Sequence, residues 1–426
     1  MKEDLLHFIW KYKKYPNAGL RTTSGNTVLI KSAGVHNKLS GPDFFNASVE
    51  IDGQLWAGNV EIHIKSSDWY AHNHEKDANY NNVILHVVWE DDIAVFRADG
   101  SEIPTLELRN YIPNELLVNY KRLFEGTKNR TINCQYGINA VSDFTIHNWL
   151  ERLYFERLEK KSLVISKLLE DSKNDWEKVL FVLLFKNFGS KINGTHFFEI
   201  AENLDFSIVR KLYNKPHELE SLLFGLAGLL INENEMEPYQ KELKQSFDFL
   251  VHKYELSAEI SKKAEFFKLR PLNFPTIRIS QFAALYASNN QLFQDLMQLE
   301  GRDLYELFNV KASIYWDTHY TFGKTSNNRV KKISKKFIDL LIINTVMPLK
   351  FCYQKHNGIP LSDSFTKSIE RIDKEGNSIV QIFLDLGVTV KSAKDTQALL
   401  ELYNNYCEKN NCLQCAVGTE LLTLKH

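Results

Sequence analysis

The sequence predicts an α/β domain followed by a larger all-helical one, and three observations carry that expectation. Residues 1–112 alternate between period-two and helical patterning. An Asp52-Gly53 pair joins two of the period-two runs. From about residue 114 onward the apolar residues recur almost only at helical spacing. At 426 residues the chain is longer than one core normally serves, so two domains, 1–112 and 113–426, are expected.

The elements follow in order. Residues 4–15 suit a helix, with Leu5, Leu6, Ile9, Trp10 and Tyr12 on one side. Residues 26–35 read as a strand, broken afterwards by Gly41-Pro42. Residues 45–51 and 54–65 read as a hairpin around Asp52-Gly53. Residues 67–81 are polar and read as loop plus short helix. Residues 83–89, VILHVVW, form the near-continuous apolar run of a strand buried on both faces. Residues 93–97 and 105–108 are expected as edge strands. The core order is thus helix, three strands, short helix, strand.

Composition narrows the function classes. Apolar residues make up 44% and charged residues 25%, an ordinary globular balance. The formal net charge of -1 gives no global attraction to nucleic acid, so any such contact must be a local patch. No apolar run approaches a bilayer span, and the N-terminal stretch MKEDLLHFIWKYKKY lacks the apolar core of a secretion signal. Five cysteines without such a signal point to a cytoplasmic protein with reduced thiols.

The chemistry concentrates in the stretch from Gly41 to Trp69. In a strand, Glu61, His63 and Lys65 share one face, while Val60, Ile62 and Ile64 point into a core. A carboxylate and an imidazole there can share one cation, and Asp43 opens the neighbouring strand within reach of the same point. Two carboxylates on adjacent strands suit Mg²⁺ or Mn²⁺, whose remaining shell is water and substrate phosphate. Such an ion lowers the pKa of a water and offsets charge on the phosphate. A solvated strand face would also carry Glu, His and Lys, and the preceding Pro-Asp and the element order weigh against that bland alternative.

GPDF followed by VEIH resembles the PD-(D/E)xK phosphodiesterase superfamily, whose restriction-endonuclease-type core has the order αβββαβ in a mixed sheet. The resemblance implies that Asp43 and Glu61 bind the metal. The pattern's lysine position holds His63, expected as a ligand or base and as a preference for Mn²⁺ over Mg²⁺. Lys65, two residues further on the same face, is expected to steady the phosphate or the attacking water. The whole chain is also similar to an uncharacterised bacterial family, DUF2851-like, through SGPDFFNA, GNVEIHIKSSDW, VILHVVW and CLQC.

Three further groups stand out. His63, His72, His74 and His86 could build a zinc hydrolase site, although their spacing matches no standard zinc signature. The plainer expectation makes His86 a core histidine bonded to backbone, and His72 and His74 phosphate contacts on a polar loop. Cys407, Cys412 and Cys415 form C-x4-C-x2-C, and with Cys134 they could hold zinc or an iron–sulfur cluster. That layout resembles, in part, iron–sulfur nucleases linked to helicases and CRISPR adaptation. In those, one cysteine precedes the nuclease core, whereas Cys134 follows it. Cys352 falls in an apolar helical run and reads as packing. Lys324, Arg329, Lys331, Lys332, Lys335 and Lys336 occur with no acid among them, downstream of the aromatic run SIYWDTHYTF, and suit contact with nucleic acid.

The expected function is a cytoplasmic, metal-dependent nuclease-like phosphodiesterase acting on nucleic acid, DNA before RNA, with no membrane association. Two rivals stand beside it: a nucleic-acid-binding or scaffold protein that has lost the chemistry, favoured by the missing lysine, and a zinc-dependent hydrolase.

Overall fold

Helix α1 (Glu3–Lys11) opens with Glu3 and Asp4, acids suited to a helix N-terminus, and buries Leu5, Leu6, Phe8, Ile9 and Trp10. The Trp10 indole donates to the Ala33 carbonyl at 2.9 Å, which fixes the helix against the first strands. This computed structural model describes residues 2–125, 130–231, 236–256 and 262–424.

Seven strands of the described residues form one mixed sheet: β1 (Leu20–Arg21), β2 (Thr27–Ser32), β3 (Val35–His36), β4 (Phe44–Ile51), β5 (Gln54–Lys65), β6 (Val83–Glu90) and β7 (Thr105–Glu107). The order is β1-β2-β4-β5-β6-β7, with β3 on the end of β4. The pairs up to β4/β5 are antiparallel, whereas β5/β6 and β6/β7 are parallel. The hairpin turn is the expected one: Asp52 and Gly53 both take positive φ, 48° and 83°, as a two-residue type I′ turn requires. The Asp52 carboxylate also accepts from the Thr27 backbone and hydroxyl, tying the turn to β2.

Between β5 and β6 the chain makes the short helix α2 (Asp68–Ala71) and two single 3₁₀ turns. Residues 93–97 do not form the expected edge strand; only an isolated bridge, Phe96 to Glu102, is present. Two of the backbone donors go to side chains instead, Ile93 to Ser66 Oγ and Phe96 to Tyr70 Oη, while Arg97 donates to the Ser101 carbonyl.

The chain divides into two units: Met1–Trp149 with Ile382–Val388 and Leu402–His426, and Leu150–Gln381 with Thr389–Glu401. The expected boundary at residue 112 is thereby corrected. Helix α3 (Asn114–Phe124) and the C-terminal segment carrying Cys407, Cys412 and Cys415 belong with the α/β unit. The reason is burial: Leu116, Tyr120 and Leu123 of α3, and Cys412 and Leu422, lie in the same core as α1, Val60, Ile62, Leu85 and Val87. Asn119 reinforces this by donating to the Leu424 carbonyl at 3.0 Å. The second unit is helical around Phe181, Phe185, Phe188, Phe197 and Phe282, whose rings meet at 4.4–6.2 Å. It is not all-helical, because His319–Thr321 and Lys324–Thr325 pair as a small hairpin. Among the described residues no helix is long and apolar enough to cross a membrane.

The two faces of β5 make different demands. Ile62 is fully buried in the core, so Ile62→Ala is expected to lower unfolding stability by about 2–5 kcal/mol in denaturant titration. Lys65→Ala, at the exposed strand end, is expected to change it by less than about 0.5 kcal/mol.

Candidate metal centre

The site begins where β4 stops. Phe44 is the first β4 residue paired with β5, opposite Val60, so the β5 edge beyond it has no strand neighbour on that side. Asp43 fills the gap. Its Oδ2 accepts from the Ile62 N–H at 3.0 Å, and its own N–H donates to Glu61 Oε2 at 3.0 Å. The two carboxylates expected to share an ion are therefore held by reciprocal backbone bonds.

His63 follows on the same face. Parallel pairing sets Glu61 beside His86, and the two imidazoles meet, His63 Nδ1 to His86 Nε2 at 2.8 Å. With the proton on His63 Nδ1, His86 orients the ring and leaves the His63 Nε2 lone pair facing His72 and Glu61. That Nε2 lies 3.1 Å from His72 Nδ1 and 3.5 Å from Glu61 Oε1. His74 Nε2 approaches the same Glu61 oxygen at 3.3 Å. Asn73, between the two loop histidines, takes the left-handed conformation at φ 59°, and His74 stacks on Tyr80 at 3.8 Å between centroids. The result is a nitrogen from each of His63, His72 and His74 within 4.8 Å of one another. Glu61 and His63 form the buried floor, and His72 is exposed at the mouth.

Helix α1 supplies residues that the sequence reading missed. Glu3 and His7, four apart on one helix face, turn toward the strands, and His7 Nε2 lies 3.1 Å from Asp43 Oδ2. The signal was present as a polar stripe beside the apolar one, but nothing local says which strand end it meets.

Electrostatics separate the groups. Burial holds His63 down to about 2, helped by the surrounding His86, His74 and His72, and holds His86 down to about 3. Both are neutral imidazoles, the form that binds metal. Burial raises Glu61, and the Asp43 charge adds to the effect against the His74 hydrogen bond. Burial raises Glu3 to about 7, with Asp43 and Glu61 adding to it against His7. Burial pulls His7 down, but the Asp43 hydrogen bond and the charges of Asp43 and Glu3 outweigh it and leave His7 raised. The nitrogens of His63, His72 and His74 beside the Glu61 carboxylate are a donor set that could hold a divalent cation. Three imidazoles suit Mn²⁺ or Zn²⁺ better than Mg²⁺, which prefers oxygen.

The remaining expected residues sort as follows. Lys65 is not drawn into the cluster; it is exposed at the end of β5, where its charge acts on Asp92. His86 is buried as expected, but bonded to His63 rather than to backbone. Lys331 is no free cation: it is 1% exposed and donates to the Asp317 and Arg329 carbonyls. Lys335 lies 3.6 Å from Asp339 and 3.7 Å from Asp373. Lys324, Arg329, Lys332 and Lys336 are exposed. Cys134, Cys407, Cys412 and Cys415 line one small cavity, while Cys352 packs in a helix near Ser162 and Ser166.

The chain belongs to the family described as "Protein of unknown function (DUF2851)", whose model matches residues 3–378. The match spans every residue of the histidine and carboxylate cluster. No curated protein and no solved structure matches the chain.

The depressed His86 value has a consequence for stability. Unfolded, His86 takes a proton near 6.5; folded, it refuses one down to about 3. The unfolded state thus binds more protons in that window, and stability is lost as pH falls below 6.5. In chelator-treated protein, lowering the pH from 7 to 5 is expected to cost wild type about 2 kcal/mol more than His86→Phe, read from urea unfolding at each pH.

Proposed function

We propose that Glu61, His63, His72 and His74 hold a divalent ion, Mn²⁺ or Zn²⁺ before Mg²⁺, and that the protein is a nuclease-like phosphodiesterase acting on nucleic acid, DNA before RNA. The observation that carries this reading is the reciprocal bonding of Asp43 and Glu61 next to three mutually close imidazole nitrogens. The element order supports the phosphodiester assignment: a helix, antiparallel strands, short helices and a parallel strand, with the Asp opening one strand and Glu-x-His on the next. That order supports reading the unit as the restriction-endonuclease-type core that the sequence resemblance implies.

An ion held by Glu61, His63, His72 and His74 would supply Lewis acidity, which would lower the pKa of a water and offset charge at the phosphate. The chain's own residues do the rest. His86 holds the His63 ring, and Asp43 keeps Glu61 in place through its N–H. His7, with its raised proton affinity and its bond to Asp43, is proposed to pass a proton at the reacting oxygens, while Lys65, expected to steady the phosphate or the attacking water, lies outside the cluster. The exposed Lys324, Arg329, Lys332 and Lys336 are proposed as phosphate contacts of the second unit.

The three-imidazole set also favours a second reading, a zinc-dependent hydrolase of another substrate. The missing lysine at position 63 favours a third, a non-catalytic nucleic-acid binder. One experiment separates them: cleavage of labelled single- and double-stranded DNA and RNA with Mn²⁺, Zn²⁺ or Mg²⁺. Strand cleavage lost on Asp43→Ala and on Glu61→Ala, and reduced on His7→Ala, is expected. Salt-sensitive binding without cleavage points to the binder. A bound stoichiometric ion with neither cleavage nor binding leaves the other hydrolase.

A further inference from the structure

Four of the chain's five cysteines come together in the α/β unit. Cys134 lies just after the stretch that follows α3; Cys407 ends a helical turn, Cys412 begins a 3₁₀ turn and Cys415 caps the helix Ala416–Thr423. All four line one small cavity, otherwise walled mainly by Ile138, Leu402, Tyr406 and Val417. All are free thiols, so the convergence is not a disulfide framework. The approach is tight: a Cβ on Gly418 would lie 2.2 Å from the Cys412 carbonyl oxygen, so only glycine lets the helix start this close.

Ordinary packing of cysteines explains a buried thiol but not the donors aimed at these sulfurs. The Val417 and Gly418 backbone N–H groups and the Trp149 indole face Cys415. Asn133 Nδ2 lies 3.4 Å from Cys412 Sγ. Donors so placed favour a thiolate, which a neutral thiol does not need. A nucleophilic cysteine would want a basic neighbour and access to solvent, and no Lys, Arg or His lines the cavity. Four thiolates cannot share an apolar cavity unless a cation is among them.

We propose that Cys134, Cys407, Cys412 and Cys415 form a tetrathiolate centre that binds a thiophilic metal, either one zinc ion or an iron–sulfur cluster, and ties the C-terminal segment to the segment around Cys134. Both occupants share the same chemistry: each sulfur gives up its proton to solvent and forms a metal–sulfur bond, and the cluster additionally takes up sulfide. The C-x4-C-x2-C spacing is one that clusters use, and the mainly apolar wall suits either. The centre does not depend on the proposed nuclease reading, since none of its ligands belongs to the histidine cluster.

The test uses the full chain carrying His72→Ala and His74→Ala, so that metal at the histidine site is not counted, purified without oxygen. Zinc, iron and acid-labile sulfide are measured together with the visible spectrum. About one zinc per chain supports the ion; iron with matching sulfide and a brown colour supports the cluster. Either must vanish in Cys412→Ser and Cys134→Ser and persist in Cys352→Ser. Should the serine variants fail to fold, the unsubstituted cysteines are loaded with Co²⁺, where intense thiolate-to-cobalt charge transfer is expected. Protein without metal that shows no such band with Co²⁺, or metal that survives both serine variants, overturns the proposal.

Discussion

The open edge of β5 governs the site. A strand that outruns its neighbour leaves N–H groups that must find partners, because an unpaired buried backbone donor costs about as much as a lost hydrogen bond. At Ile62 the partner is the Asp43 carboxylate, and in return Asp43 donates to Glu61. The sheet's need to satisfy its backbone thus brings two carboxylates together, against their mutual repulsion. That repulsion, with burial, is why Glu61 and Glu3 hold protons more readily than free carboxylates. The apolar face of β5, with Val60 and Ile62 in the core, prevents the strand from slipping out of this arrangement, since a one-residue shift would exchange the two faces.

Much of this was legible before any coordinates. Period-two patterning located β4 and β5, the Asp52-Gly53 turn set their register, and alternation put Glu61 and His63 on one face beside Asp43. What stayed hidden depended on distance or on one dihedral. Glu3 and His7 lie on a helix whose packing partner is not encoded locally. His72 and His74 read as a solvated loop because their convergence on His63 relies on the left-handed Asn73. Lys331 read as one cation of a patch, yet its neighbours' carbonyls draw it inward, which no charge count reveals. The domain boundary failed for the same reason as the helix pair: Cys412 and Leu422 join a core built by the first hundred residues, and periodicity says nothing about which core a distant helix serves.

Burial moves the imidazoles of His63 and His86 and the carboxylate of Glu61 in opposite directions, which suits the cation site proposed above. Desolvation disfavours whichever form is charged, so it leaves His63 and His86 neutral and presses Glu61 toward neutrality as well. Were the histidines protonated, they would pair with the carboxylates and close the site. In the proposed reading, neutral His63 offers its lone pair to an ion from solvent, whose charge would in turn favour the ionised form of Glu61. The exposed position of His72 gives that ion a route in.

Helix α1 connects the histidine and carboxylate cluster to the cysteine cavity. Its polar edge turns Glu3 and His7 toward Asp43, while its apolar side shares a core with Cys412, and the turn Cys412–Gln414 packs against it. The two donor sets differ in softness: imidazole and carboxylate at one end, thiols in a mainly apolar cavity at the other. Donor softness sorts metals, so the two places need not compete for one ion. A helix packed on both can be held in register by one while it presents side chains to the other. The position of His7 relative to Asp43 is then a property of the whole α/β unit, including a C-terminal segment remote from it in sequence, rather than of the first eleven residues alone.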